Sequence, residues 1–244
     1  MEYIKVCLLN NSGNVGKSTL ANYLLKPRLD ADVIRVETFN TDTSNVDQKL
    51  SADDMVKVIN EINTRDKAII DIGSSNIENF LKGVKKQKGA HEDIDYYIIP
   101  VVSDEKQQQD SINTIMQLLE IGVDYEQIKI IFNRIDTRYT VQEQFQTFFN
   151  SNNIIKKLNL KKEFDMATVE ETEIFSLLNQ TGLDYFNVKN DNTNFKIALR
   201  KEKDLEKREI LSLKRTAQRL ILSLEDELDS CFEKLQLKEI ELTE

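Results

Sequence analysis

Short, almost unbroken apolar runs recur through the first part of the chain. They read YIKVCLLN (3–10), DVIRVETF (32–39), KAIIDIG (67–73), DIDYYIIPVV (93–102) and IKIIFNR (128–134). Runs of this length, rich in Ile, Val and Leu, suit strands buried on both faces of a parallel sheet. Between them the pattern predicts helices over 17–26, 51–63, 76–87, 105–120 and 140–148, the first stopping near Pro27 and the fourth before Gly122. Strand-helix alternation of this kind predicts an α/β fold, a doubly wound, mostly parallel sheet. Over 151–190 the pattern is less regular, with EFDMATV as one more strand and EETEIFSLLNQ as a short helix.

From about Asn192 the texture changes. No proline or glycine occurs from there to Glu244, and Leu213, Ala217, Leu220, Leu224, Leu228, Cys231 and Leu235 recur in steps of three and four. That spacing predicts one apolar face of a long C-terminal helix. The expected organisation is a main α/β domain over 1–190 and a helical extension over 191–244. The helix is also charge-polarised: residues 196–219 hold nine Lys/Arg against four Asp/Glu, and 220–244 hold two against eight. Three uses of such a helix stay open: packing on the main domain, self-association through the stripe, and a nucleic-acid or membrane role for its basic half.

Composition narrows the function classes. The net charge of -9 argues against a whole-surface nucleic-acid binder, although it leaves room for a local basic face. Lys82, Lys85, Lys86 and Lys88 are the candidates for that face, against a plain solvated helix surface. Cys7 and Cys231 lie far apart and make no redox or metal motif. No signal peptide or membrane span is expected, and a cytoplasmic location is the default. His91, the only histidine, has no catalytic partner in sequence and reads as structural.

The candidate chemistry lies in NNSGNVGKSTL (10–20). A phosphate-binding loop works by converging backbone N–H groups, at a turn and a helix N-terminus, on anionic oxygens. Gly13 and Gly16 supply backbone freedom, Lys17 the compensating charge and Ser18 a hydroxyl for magnesium. The loop follows an apolar strand and leads into the helical pattern LANYLL, which is the context the motif requires. Asp71, at the end of AIIDIG, stands where a water-mediated magnesium ligand belongs in nucleotide hydrolases. Asn133 follows another buried strand, where an amide could meet a base edge or cap a turn. The run from Asn133 to Asp136 also fits a guanine-reading motif, so GTP stands as the alternative to ATP.

The early glycine of the usual phosphate-loop pattern is missing, and a resemblance accounts for it. Ser12-Gly13-Asn14-Val15-Gly16-Lys17-Ser18-Thr19 is similar to the deviant loop Lys-Gly-Gly-Val-Gly-Lys-Thr-Thr of the ParA/MinD family of ATPases. SGNVGKST, DIGSSNIE, HEDIDYYIIP, KQQQD and LDSCFEKLQL together resemble the StbB plasmid-stability proteins, a ParA-like branch, over most of the chain. The resemblance implies a phosphate-loop NTPase fold and an ATP and Mg2+ site made by Gly13, Asn14, Val15, Gly16, Lys17, Ser18 and Thr19, with Ser18 and Asp71 on the metal. It also implies a homodimer, a plasmid-encoded DNA-binding partner protein, and at most an indirect or weak association with DNA.

The chain departs from the family at two places. Ser12 stands where the family has a lysine that reaches across a nucleotide-sandwich dimer, and serine cannot carry that charge. Phe39 stands where an aspartate positions the attacking water, leaving Asn40 and Asp42, beside Lys17, as the candidate catalytic residues. The leading expectation is a nucleotide-binding switch with slow hydrolysis, acting in plasmid stability, partition or positioning. The alternative is a nucleotide-binding scaffold without turnover whose C-terminal helix mediates interactions. A ligase or kinase on the same fold, such as a dethiobiotin synthetase relative, would need a substrate pocket signature that the sequence lacks.

Overall fold

The computed structural model describes residues 2–37, 49–51, 54–151, 157–158 and 165–238. By its internal contacts the chain divides into two compact units, Met1–Glu170 with Cys231–Glu244, and Glu171–Ser230. The boundary expected between residues 190 and 191 therefore falls inside the second unit.

The first unit is built on one seven-stranded sheet in which every pairing is parallel. Its strands are β1 (Ile4–Leu8), β2 (Asp32–Val36), β3 (Lys49–Leu50), β4 (Lys67–Ile72), β5 (Tyr96–Val101), β6 (Ile128–Ile135) and β7 (Ala167–Glu170), in spatial order β3-β2-β4-β1-β5-β6-β7. β4 and β5 are buried along nearly their whole length, as their continuous apolar sequence requires. One core cluster runs from Cys7 and Leu9 through Ile70 and Tyr97 to Phe132, Phe145 and Phe148. At one end of it the Phe132 ring meets those of Phe145 and Phe148 at 4.8 and 5.6 Å between centroids.

Helix α1 begins at Lys17–Thr19, widens to a π-helical stretch over Leu20–Leu25 and closes as Lys26–Leu29. The expected stop at Pro27 is corrected to Asp30, whose φ of 50° ends the helix. Pro27 lies near the end of this helix, where the Arg28 guanidinium donates to the carbonyls of Tyr23 and Leu24 at 3.0 and 3.2 Å, among the acceptors a missing N–H would leave. The helices that follow are α2 (Met55–Asn63), α3 (Ile77–Lys86) and α4 (Glu105–Glu120). Asp54 and Asp104 cap α2 and α4 by accepting from Lys57 N and Gln107 N. The helix expected over 140–148 is split at Phe145 into α5 (Val141–Gln144) and α6 (Gln146–Phe149).

The second unit contains α7 (Ile174–Thr181), α8 (Tyr185–Lys189), α9 (Phe195–Lys201) and most of α10 (Leu205–Leu235). Within it, Tyr185 Oη donates to Glu225 Oε1 at 2.8 Å, Lys189 pairs with the same carboxylate at 3.0 Å, and Gln218 Nε2 donates to Asp191 O at 2.6 Å. Within the extension expected over 191–244, residues 202–204 separate α9 from the long helix, which starts at Leu205, before the first residue of the apolar spacing, Leu213. Its apolar stripe is shifted. Ala217, Ile221, Leu224, Leu228, Cys231 and Leu235 are buried, whereas Leu213 (41%) and Leu220 (40%) are exposed. From Ala217 to Leu228 the buried row steps by four, three and four through Ile221; the equally regular three, four and four runs through Leu220, which is exposed, so the sequence reading chose the wrong member of an adjacent pair. No helix among the described residues is long and apolar enough to cross a membrane.

Candidate functional site

The loop between β1 and α1 lies at the carboxyl ends of the central strands, where open parallel sheets bind ligands. Two left-handed residues shape it, Asn14 at φ 58° and Gly16 at φ 92°. Such alternation turns successive N–H groups toward a common concavity. Asparagine tolerates the left-handed region, and glycine enters it without cost. Gly16 is also required by space, since a Cβ there would lie 2.3 Å from Asn133 Nδ2. Gly13 is less constrained: a Cβ would sit 3.5 Å from Ser74 Oγ, an ordinary contact.

Lys17 is buried and folds back on the loop, donating to Ser12 O at 2.8 Å and Asn10 O at 3.2 Å. Burial lowers its pKa to about 8, and the nearby Asp71 carboxylate partly opposes that shift. An ammonium held with so little solvation gains much from anionic oxygens. Ser18 Oγ donates to Asp71 Oδ2 at 2.6 Å, so the two expected magnesium ligands are already in contact. Burial raises the Asp71 pKa, while the Ser18 hydroxyl, Lys17 and Arg35 pull it back and Glu37 adds to the rise. A divalent cation would relieve that desolvation. Among the described residues, no group of three or more His, Cys, Asp or Glu could hold a metal alone. That fits magnesium, which takes one or two protein ligands and completes its shell with phosphates and water.

Val15 is buried in the loop, and Thr19 lies in the first turn of α1. Asn133 reaches the same loop, its Nδ2 donating to Val15 O at 2.9 Å. A bulge in β6 aims it there, with the register breaking between Asn133 and Ile135 and the intervening Arg134 at φ 58°. One of the two Asn133 amide protons is thus given to the loop. Asp136 is held by Arg138 at 2.6 Å, which lowers its pKa to about 2. Asn40 and Asp42, with Phe39, lie outside the described residues.

A second set of residues fixes the loop from the side of α4, and sequence reasoning missed their role. Ser12 Oγ donates to Asp110 Oδ2 at 2.5 Å, Gln107 Nε2 to Gly13 O at 3.0 Å, and Asn11 N to Thr114 Oγ1 at 3.0 Å. Asn11 Nδ2 donates to Gln117 Oε1 at 2.9 Å. Asn10, fully buried, donates through Nδ2 to Pro100 O at 2.8 Å and Ser111 Oγ at 2.7 Å, and accepts from Ser12 N at 2.8 Å. An open groove lined by Asn11–Asn14 and by Asp104, Lys106, Gln107 and Asp110 runs along this contact. The signal was present in the sequence: residues 107, 110, 111, 114 and 117 recur at helical spacing but are all polar. Such a stripe marks a helix face that binds a polar surface.

Two other candidates lie away from this end. Tyr97 Oη donates to His91 O at 3.0 Å, and a Cβ on Gly122 would meet the His91 ring, so His91 is a packing residue. Lys82, on α3, pairs with Glu78 one turn away.

No protein-family model matches the chain, and no curated protein sequence matches it. Solved structures do. The fold is similar to the MinD cell division protein of Aquifex aeolicus, with a TM-score of 0.50 and 14% identity over 99% of this chain and 100% of that one. It is similar also to a substituted McdA of Cyanothece in complex with ATP, with a TM-score of 0.50 and 11% identity over 99% of each chain. At these identities the likeness is one of fold alone, a parallel sheet flanked by helices.

Proposed function

We propose that this chain is a ParA-like nucleotide-binding switch that takes ATP with magnesium at residues 13–19 and acts in plasmid stability, partition or positioning. The observation that carries the reading is the pairing of a desolvated Lys17 with a Ser18–Asp71 contact of 2.6 Å at the start of α1. Bound nucleotide would supply the phosphate anhydride whose cleavage resets the switch. Lys17 leaves its loop carbonyls for the terminal phosphates. Loop N–H groups from Gly13 to Thr19 hold the remaining oxygens. Ser18 and Asp71 would hold the magnesium ion, which would neutralise phosphate charge there. ATP is the nucleotide proposed, with GTP as the alternative. Asn40 and Asp42 are the candidates for orienting water, and with Phe39 at the usual acid position the reading is of slow hydrolysis. The partners proposed are a second copy of the chain and a plasmid-encoded DNA-binding protein, with DNA itself contacted weakly or indirectly.

Titration with a fluorescent ATP analogue tests the site. Lys17→Ala removes the main compensating charge, and losing a charge-assisted contact of about 3 kcal/mol weakens binding roughly 10²-fold. Unchanged affinity in that variant contradicts the site.

A second reading, a nucleotide-binding scaffold without turnover, is favoured by one observation. Ser12 leads to a carboxylate, Asp110, at the position where the family resemblance implies a cation. Phosphate release by purified protein, with and without DNA, separates the two readings.

A further inference from the structure

Opposite its buried stripe, α10 carries a second periodic seam. Arg208, Ser212, Arg215, Arg219, Leu222, Asp226 and Asp229 follow one another in steps of three and four, which places them along one face of the helix. None of them is buried, and Leu222 is 50% exposed in the middle of the run. The seam is basic before Leu222 and acidic after it. Arg215 and Asp229 stand one heptad to either side of that leucine, with Arg219 and Asp226 about one turn to either side.

We propose that this seam is a self-association surface on which a second copy of the chain docks antiparallel, with the two Leu222 side chains near the two-fold axis. The charge order selects the partner and its direction. A parallel copy would set arginine against arginine and aspartate against aspartate. An antiparallel copy brings Arg215 and Arg219 of each chain opposite Asp226 and Asp229 of the other. Such a surface is self-complementary, as a two-fold interface requires. The contact lies wholly on exposed ion pairs and one leucine, so it is weak and screened by salt. It uses no residue of the phosphate loop and stands independently of the function proposed above.

Sedimentation velocity on the full chain without nucleotide tests the proposal. The expected result is reversible dimerisation at about 50 mM salt that is lost at about 500 mM, where the screening length shortens severalfold. R215D/R219D and D226R/D229R should each be monomeric, with circular dichroism confirming an unchanged helix. Mixed in equal amounts they should associate again, because between residues 215 and 229 one seam is then acidic and the other basic. Leu222→Glu, at a half-exposed position, should also dissociate the dimer with a single substitution. A wild-type chain that stays monomeric up to about 100 μM at low salt overturns the proposal. So does a dimer that survives both charge reversals, or two folded charge-reversed variants that fail to associate when mixed.

Discussion

Around the phosphate loop, polar side chains from four parts of the chain converge: Asn10, Asp71, Asn133 and the 107–117 face of α4 each hold or meet a loop atom. Along α10 apolar burial dominates: one row of apolar residues is buried and most charges lie on the outer face, with Glu225 and Gln218 as polar exceptions bonded to Tyr185, Lys189 and Asp191. A loop fixed by hydrogen bonds has defined directions and can present N–H groups and a lysine to an anion. A helix fixed by apolar burial has a defined face but little directional demand, and tolerates change wherever its outer residues meet only water. Chemistry belongs to the first kind of region and association to the second.

The largest effect that would break this comparison is expected in the helix. Leu224→Ala, at 4% exposure, should lower unfolding free energy by about 2–5 kcal/mol, and Leu213→Ala, at 41%, by about 0.5 kcal/mol or less. Urea denaturation of the two variants reads the difference. Equal losses would mean that the buried row is not the one that holds the helix.

A smaller effect sharpens the account of the loop through pH. Lys17 has a pKa of about 8 in the folded chain and an ordinary value of 10.5. Nucleotide affinity should be flat below about pH 8 and about tenfold weaker by pH 9, as the ammonium loses its proton. Lys17→Arg should flatten that profile, since a guanidinium does not titrate there. The stability contribution has its own sign. Because the folded pKa lies below the unfolded one, the unfolded chain binds more protons between about 8 and 10.5. This group therefore makes the fold more stable as pH rises through that window. Thermal melts of wild type against Lys17→Met isolate the contribution.

The smallest effect concerns the wall made by α4. Ser12→Ala removes the hydrogen bond to Asp110 and should cost about 1 kcal/mol, read as a modest drop in melting temperature. A loss several times larger would mean that this single contact, rather than the set around it, holds the loop.

Much of this was legible in the sequence because the signals were local. The runs that became β1, β4, β5 and β6 are apolar almost without interruption, and Gly16-Lys17-Ser18-Thr19 names its own chemistry. Asp71 was found because it ends such a strand. The bonds of Asn10 to Ser111 and of Ser12 to Asp110 join residues 101 and 98 positions apart, and no spacing rule connects them. The polar stripe of α4 carried that information, but polar residues at helical spacing are read by default as a solvated face. The choice of Leu220 over Ile221 failed for another reason. Two adjacent apolar residues differ by 100° of helix rotation, and only the burial of their neighbours decides between them.

The central claim is that Lys17, Ser18 and Asp71 form one nucleotide and magnesium site. Isothermal titration of ATP into wild type, Ser18→Ala and Asp71→Asn, each with and without magnesium, tests it most directly. The account predicts that magnesium tightens binding to wild type, that the increment disappears in both variants, and that magnesium-free binding survives in all three. Failure of wild type to bind ATP, or an undiminished magnesium increment in both variants, would contradict it.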